Sequence, residues 1–367
     1  MREAEISTTG RNRLRWWQTL LVPFSLLYSA TLQAYLWWRL PRQFKANATV
    51  VSVGNLSLGG TGKTPTVIAI CRHFQRRGFR VAVLSRGYGG TMSHAGGVVS
   101  DGERILANVA QAGDEPLLIA HKLPGVAVLV GKDRRKTARK AVEQFGCDVL
   151  VLDDGFQYWQ LRRDVDLVLL DGEYPFGNGW TLPAGILREP VEHLQRAHAL
   201  LVQGEHIPCS NLTQMFPFIP CFNWRKSPSG IRQLHREEVR FEVNALCGKR
   251  VFALAAIARF ESFTNTLTQL GAQIVGTWGL PDHHRYTPDD ILEVQRRARD
   301  CNAETILVTE KDAVKLEEMP AMSLQTPIWV LDIEARFSEG FWRWLDAQVR
   351  AARHIGSREV SSAEGTL

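Results

Sequence analysis

No two cysteines in this 367-residue chain stand at the spacing of a metal knuckle or a redox motif. Cys71, Cys147, Cys209, Cys221, Cys247 and Cys301 are scattered, with no C-x-x-C and no histidines at zinc-ligand spacing. This argues against a zinc module or a disulfide framework, and for reduced thiols in a cytosolic compartment. The chain has no internal repeat and no low-complexity tract, so neither a solenoid nor a compositional tail organises it. It also lacks a basic–aromatic motif for nucleic acid, and no protein partner is implied. A net charge of +6 suits any anionic partner, whether nucleotide, membrane surface or phosphorylated substrate. With 45% hydrophobic residues, the length leaves room for two domains that each bury a core.

What is present centres on Gly54-Asn55-Leu56-Ser57-Leu58-Gly59-Gly60-Thr61-Gly62-Lys63-Thr64-Pro65. It follows the β-branched run Thr49–Val53 and precedes the apolar stretch Val67–Ile70, the strand–turn–helix setting of a phosphate-binding loop. In that setting Ser57, Leu58, Gly59, Gly60, Thr61, Gly62, Lys63 and Thr64 cradle a nucleotide triphosphate with backbone N–H groups and a helix N-terminus. Lys63 reaches the β- and γ-phosphates, and the Thr64 hydroxyl meets Mg²⁺. The loop is a variant, because Ser57 stands where the strict pattern has its first glycine.

Ahead of the loop, Trp16 to Trp38 runs without a charge between basic flanks. Gln18, Ser25, Ser29 and Gln33 share one helical stripe opposite a wide apolar face, and tryptophan pairs stand at both ends. The pattern favours a helix lying in a membrane surface over one that spans it or packs on the protein's own core. Pro23 predicts a kink or a helix in two pieces.

Beyond the loop, the runs Arg80–Gly90 (a strand ending in a glycine turn), Val126–Gly131, Asp148–Asp154, Val165–Asp171 and Ala199–Val202 alternate with helical segments. Continuous apolar strands of this kind belong to a parallel sheet covered on both faces, with ligands at the strands' carboxyl ends. The expected fold is therefore α/β, a P-loop NTPase-type parallel sheet followed by a smaller α/β domain. The expected divisions are an anchoring helix over 1–45, a nucleotide domain over 46–240, a small domain over 241–354 and a loose tail over 355–367. Residues 205–240, rich in proline, read as a linker or an irregular crossover.

Asp153 and Asp154 end a strand, where carboxylates of phosphate-loop proteins hold Mg²⁺ directly or through water. Asp114 and Glu115 read either as a rigidly held base for a hydroxyl nucleophile or as an ordinary turn. Asp282-His283-His284 is open between a proton relay, a metal pair and a surface loop. Arg86, Lys132, Arg134, Arg135, Arg162, Arg163 and Arg188 are candidate phosphate contacts, Arg86 and Arg188 foremost because glycine or a proline-flanked loop adjoins them.

Taken in order, these motifs, with Gly113-Asp114-Glu115-Pro116, Phe176-Gly177-Asn178-Gly179, Leu187-Arg188-Glu189 and Thr309-Glu310-Lys311-Asp312, resemble the tetraacyldisaccharide 4′-kinase family, the lipid A 4′-kinases of Gram-negative bacteria. The resemblance covers nearly the whole chain. It implies an enzyme on the cytoplasmic face of the inner membrane, using ATP and Mg²⁺ to phosphorylate the 4′-hydroxyl of a tetraacylated glucosamine disaccharide 1-phosphate. It implies that Asp114 is the base, tuned by His283 from the smaller domain, and that Asp153 and Asp154 serve the Mg²⁺ and catalytic centre with Lys63. Arg86, Arg134, Arg188 and Glu189 would line the site. Ala256–Phe260 replaces the family's usual glycine-rich turn, and Tyr158 stands where histidine is common, so position 158 is assigned no role. The rival reading is a membrane-associated ATPase or nucleotide switch. Such loops often carry a lysine where Leu58 stands here, which counts against it.

Overall fold

The computed structural model describes residues 16–204, 209–319 and 324–364. The expected loose residues 1–10 and the basic residues 11–15 lie outside this range, as do 365–367. The described chain forms two compact units. The first takes the residues up to Arg86, Asp133–Arg225 and everything from Ala335; the second takes Gly87–Lys132 and Lys226–Glu334. Residues 87–132, which a linear reading assigns to the nucleotide domain, thus group with the later residues.

In the first unit the strands run in the order Val81–Ser85, Val149–Asp153, Thr49–Asn55, Val165–Leu170, Ala199–Gln203, then the start of Cys221–Gln233. All pair in parallel, and Val53 lies opposite Asp153. The loop helix, Lys63–Arg76, buries Val67, Ile70, Cys71 and Phe74, the three-to-four spacing that gives a helix one apolar face. Its outer end is clasped to the last helix, Glu339–Glu364. Asp346 accepts hydrogen bonds from His73 Nε2 (2.8 Å) and Arg77 Nη2 (2.6 Å), and the His73 ring stacks on Trp342. Burial, opposed by Asp346, holds His73 below its usual value. That last helix continues to Glu364, through residues expected to be a tail; a stretch free of proline gives it no stop.

The N-terminal segment is helical in two pieces, Trp16–Thr19 and Val22–Arg39, with Pro23 in the first turn of the second. Its polar stripe faces inward. Ser25 Oγ donates to the Thr181 carbonyl and accepts from the Ala184 N–H, both at 2.9 Å, and Ser29 meets Thr181 Oγ1. Gln33 contacts His193, and the Tyr28 hydroxyl donates to the Arg188 carbonyl at 2.7 Å. The apolar face points outward, so that Ser25 is 1% exposed and Leu27 67%. Among the described residues no helix is long and apolar enough to cross a membrane.

The second unit holds the parallel strands Gln273–Gly279, Arg250–Ala255, Thr305–Thr309 and the start of Ile328–Phe337, in that order. Alternate residues fall in two separate cores. Phe252, Leu254, Ile306 and Val308 pack in one, and Val251, Ala253, Ala255 and Leu307 in the other. A strand that buries both of its faces must read as a continuous apolar run, and these do. Residues 205–240 differ from the expected linker: they contain a helix, Ser210–Met215, and a 13-residue strand, Cys221–Gln233. Pro228 misleads because it falls between the stretch paired with Ala199–Gln203 and the stretch paired with Arg236–Phe241.

The clasp on the loop helix predicts that Asp346→Ala lowers the stability of the first unit by about 2 kcal/mol, as two charge-assisted hydrogen bonds are lost. The urea midpoint of the variant against wild type checks this.

Candidate functional site

Two groups of the residues singled out by sequence assemble, one in each unit. In the first unit the strand Thr49–Asn55 ends where Gly54 passes the backbone of Phe156. A Cβ at Gly54 would come within 2.7 Å of the Phe156 nitrogen, so only glycine fits. The loop that follows is tied to the segment before Arg188: Leu58 N–H donates to Ile186 and Arg188 N–H to the Leu56 carbonyl, each at 2.8 Å. Gly59 and Gly60 are exposed, with open space where a Cβ would stand. Gly62, in a left-handed conformation, precedes the helix at Lys63, and no side chain caps that helix start. The Thr61 Oγ1 is buried with no protein partner. Uncapped backbone donors, an orphaned hydroxyl and an open glycine cradle are what a polyphosphate requires.

Lys63 Nζ lies 3.2 Å from Asn55 Oδ1 and 3.5 Å from Asp154. Asp154 also receives Arg188 Nη1, at 2.8 Å and 3.0 Å to its two oxygens. Burial would raise the Asp154 carboxyl, but Lys63 and Arg188, with Arg134, outweigh it and hold the group below its usual range. Asp153 is buried, and its Oδ2 accepts from Ser85 Oγ at 3.0 Å. Thr64 adds a half-buried hydroxyl at the start of the loop helix. A hydroxyl and two carboxylates are an all-oxygen donor set, which fits Mg²⁺.

The arginines divide. Arg86 is exposed at the end of its strand. Arg134 is buried, its guanidinium 4.8 Å over the Tyr158 ring and 3.4 Å from the Asp153 carbonyl; burial lowers it against the pull of Asp154 and Asp153. Tyr158, given no role from sequence, is therefore the platform for Arg134, and its hydroxyl donates to Asp133. Arg163 turns inward, donating to the Gly155 and Phe156 carbonyls and pairing with Asp166. Arg135 pairs with the helix-capping Asp133. Glu189, expected to line the site, is completely buried, with one oxygen 2.8 Å from both His193 and Arg196.

In the second unit Asp114 opens the helix Asp114–Lys122 and is 5% exposed. His283 Nδ1 meets its two oxygens at 3.0 Å and 3.2 Å. Both residues belong to this one unit, so the pair forms within it and does not come from opposite domains as the sequence suggested. Gly113 (φ +87°) lies against the Tyr88 carbonyl, and the Tyr88 ring centroid is 5.5 Å from that of His283. Lys311 reaches the same place from the helix Glu310–Glu317, 3.3 Å from Glu115 and 3.3 Å from Asp282. It carried no role in the sequence reading beyond its motif. The turn at Ala256, where the family's glycines are missing, is held by Asp312, which accepts from the Ala256 N–H at 3.2 Å. Among the described residues, four non-glycine positions have positive φ, and Asp154 and His283 are two of them.

Comparison with known proteins is consistent across sequence and structure. The family model described as tetraacyldisaccharide-1-P 4′-kinase matches residues 17–350. A tetraacyldisaccharide 4′-kinase of Syntrophus aciditrophicus is 41% identical over 334 residues, covering 86% of this chain and 88% of the relative. One from Pelobacter propionicus is 42% identical over 301 residues, covering 81% and 83%. The crystal structure of LpxK from Aquifex aeolicus in complex with ATP is 27% identical, with a TM-score of 0.72, covering 91% of this chain and 99% of that one.

The Gly113 geometry generates a prediction for the second cluster. A Cβ there would lie 2.4 Å from the Tyr88 carbonyl oxygen on a left-handed backbone. Gly113→Ala is expected to cost roughly 1–3 kcal/mol of stability, measured by chemical unfolding.

Proposed function

The chain belongs to the tetraacyldisaccharide-1-phosphate 4′-kinase family, and from the two clusters we infer how its residues divide that family's reaction. The enzyme transfers the γ-phosphate of ATP to the 4′-hydroxyl of a tetraacyl glucosamine disaccharide 1-phosphate, a step of lipid A biosynthesis, with Mg²⁺. The loop Ser57–Thr64 holds the triphosphate through its backbone N–H groups, and Lys63 leaves Asp154 to neutralise the β- and γ-phosphates. Thr64, Asp153 and Asp154 would hold Mg²⁺, which supplies charge neutralisation at the phosphate oxygens. Arg188, already beside Asp154, and Arg134, fixed on Tyr158, stabilise negative charge there. Arg86 contributes an exposed cation for the substrate's phosphate.

Asp114 takes the 4′-hydroxyl proton as that oxygen bonds to the γ-phosphorus, and the bond to the β-phosphate oxygen breaks to release ADP. His283 donates its Nδ1–H to Asp114 and keeps the carboxylate oriented. The observation that carries this reading is the Asp114–His283 pair, a buried carboxylate fixed by an imidazole in a strained turn. Glu189 acts through structure, fixing the loop that bears Arg188.

The N-terminal helix is proposed to lie in the cytoplasmic face of the inner membrane. Leu20, Phe24, Leu27 and Trp37 all face outward, and each gains about 1.5–3 kcal/mol when it leaves water. The substrate's acyl chains stay in the same bilayer while its sugar reaches the enzyme.

Two measurements test these assignments. Transfer of labelled γ-phosphate to the disaccharide in mixed micelles is expected to fall about 10²–10⁴-fold in turnover for Asp114→Asn, with the KM for ATP nearly unchanged. Wild-type turnover in that variant removes Asp114 from the base role. For the anchor, replacing Leu20, Leu27 and Trp37 together with serine is expected to weaken co-sedimentation with anionic vesicles by at least about tenfold, leaving thermal stability unaltered. Unchanged sedimentation places the membrane contact elsewhere.

A further inference from the structure

Lys311 occupies the centre of a ring of charge in the second unit that the base–histidine pair does not account for. Its ammonium lies 3.3 Å from Glu115 Oε1, 3.3 Å from Asp282 Oδ1, 3.6 Å from Asp114 Oδ2 and 3.4 Å from His283 Nε2. The side chain is only 17% exposed. The neighbouring Glu310 pairs with Lys122 at 2.5 Å, and Lys122 also pairs with Asp332. Adjacent residues of one helix thus grip both ends of the helix Asp114–Lys122, which fixes where the lysine can point. Burial works against the lysine's charge, but Glu115, Asp114 and Asp282 outweigh it and hold the amine above its usual value.

An ammonium has three donors and no acceptor, so His283 Nε2 meets it as a lone pair. The ring's proton then sits on Nδ1, the nitrogen that faces Asp114. Without the lysine, His283 would stand between two carboxylates, Asp114 and Asp282, beside the Tyr88 ring. Such a field favours an imidazolium, and an imidazolium paired with Asp114 makes the carboxylate a weaker base.

We propose that Lys311 is a positioning residue for phosphoryl transfer: it fixes His283 as the neutral Nδ1–H tautomer and so keeps Asp114 an effective base. The inference rests on the assignment of Asp114 as base. It predicts dependence on His283, a defined direction of pH shift, and no role in nucleotide binding.

The test measures kcat, KM for ATP and the pH dependence of kcat/KM for Lys311→Met and Lys311→Arg, alone and with His283→Ala. Lys311→Met is expected to lower kcat about 10–100-fold, with KM for ATP within about twofold. Removing the cation favours proton uptake, so the acidic limb moves to higher pH by about one unit. Lys311→Arg recovers most of the loss. In the His283→Ala background, Lys311→Met costs less than about threefold, because the two act as a unit. An equal loss in both backgrounds, or an unmoved acidic limb, overturns the proposal. If Lys311→Met does not fold, Asp282→Asn decides by sign. Removing that anion moves the limb to lower pH if this field governs His283, and an unmoved limb overturns the idea. Asp114→Asn with wild-type turnover would instead remove the base assignment itself; an inactive Asp114→Asn beside an unaffected Lys311→Met removes only the lysine's part.

Discussion

Parallel pairing of Thr49–Asn55 with Val149–Asp153 forces the chain to leave both strands at the same edge of the sheet. At that edge one strand runs into the glycine loop and the other into two carboxylates, so Lys63 and Asp154 are neighbours although 91 positions separate them in sequence. Much of the first unit serves this juncture. Gly54 lets the backbone of Phe156 approach, Ser85 and Arg134 brace Asp153, and the Leu56–Leu58 contacts deliver Arg188. In the resting cluster Asp154 is paired with two cations, Lys63 and Arg188. A phosphate-loop enzyme with its lysine parked on a carboxylate avoids holding an unpaired buried charge before substrate arrives.

The second unit solves a related problem with opposite signs. Here three carboxylates surround one ammonium, which sits beside the imidazole. Both sites place a side chain from a left-handed backbone, Asp154 in one and His283 in the other. Asp and His enter this region more readily than most side chains, but still at a cost that the surrounding packing must meet. Strain of this kind fixes direction, which phosphoryl transfer needs more than it needs covalent chemistry.

The sequence was most readable where one local pattern determines the outcome. Apolar runs became buried parallel strands because nothing else accommodates two-sided burial, and Ser57–Thr64 became a strand–loop–helix turn because its glycines permit little else. It was least readable where the outcome depends on partners distant in the chain. Residues 87–132 join the second unit through contacts that no local window contains. Pro228 marks a change of strand partner, which in sequence looks like a break. Tyr158 and Lys311 act through an arginine and a histidine that only folding brings near. Glu189 was assigned to the site by its motif, but its burial beside His193 and Arg196 could not be read from spacing.

The inward polar stripe of the N-terminal helix bears on how such a protein can be handled in solution. Cutting the helix away to escape detergent would strip Ser25 from the Thr181 carbonyl and the Ala184 N–H, and the Tyr28 hydroxyl from the carbonyl of Arg188. The scar would be a set of bare backbone groups under the very loop that carries a site arginine. Recolouring the outer face with polar residues leaves those bonds intact. For preparative work this helix is better treated as a wall of the building with one greasy side than as a detachable handle.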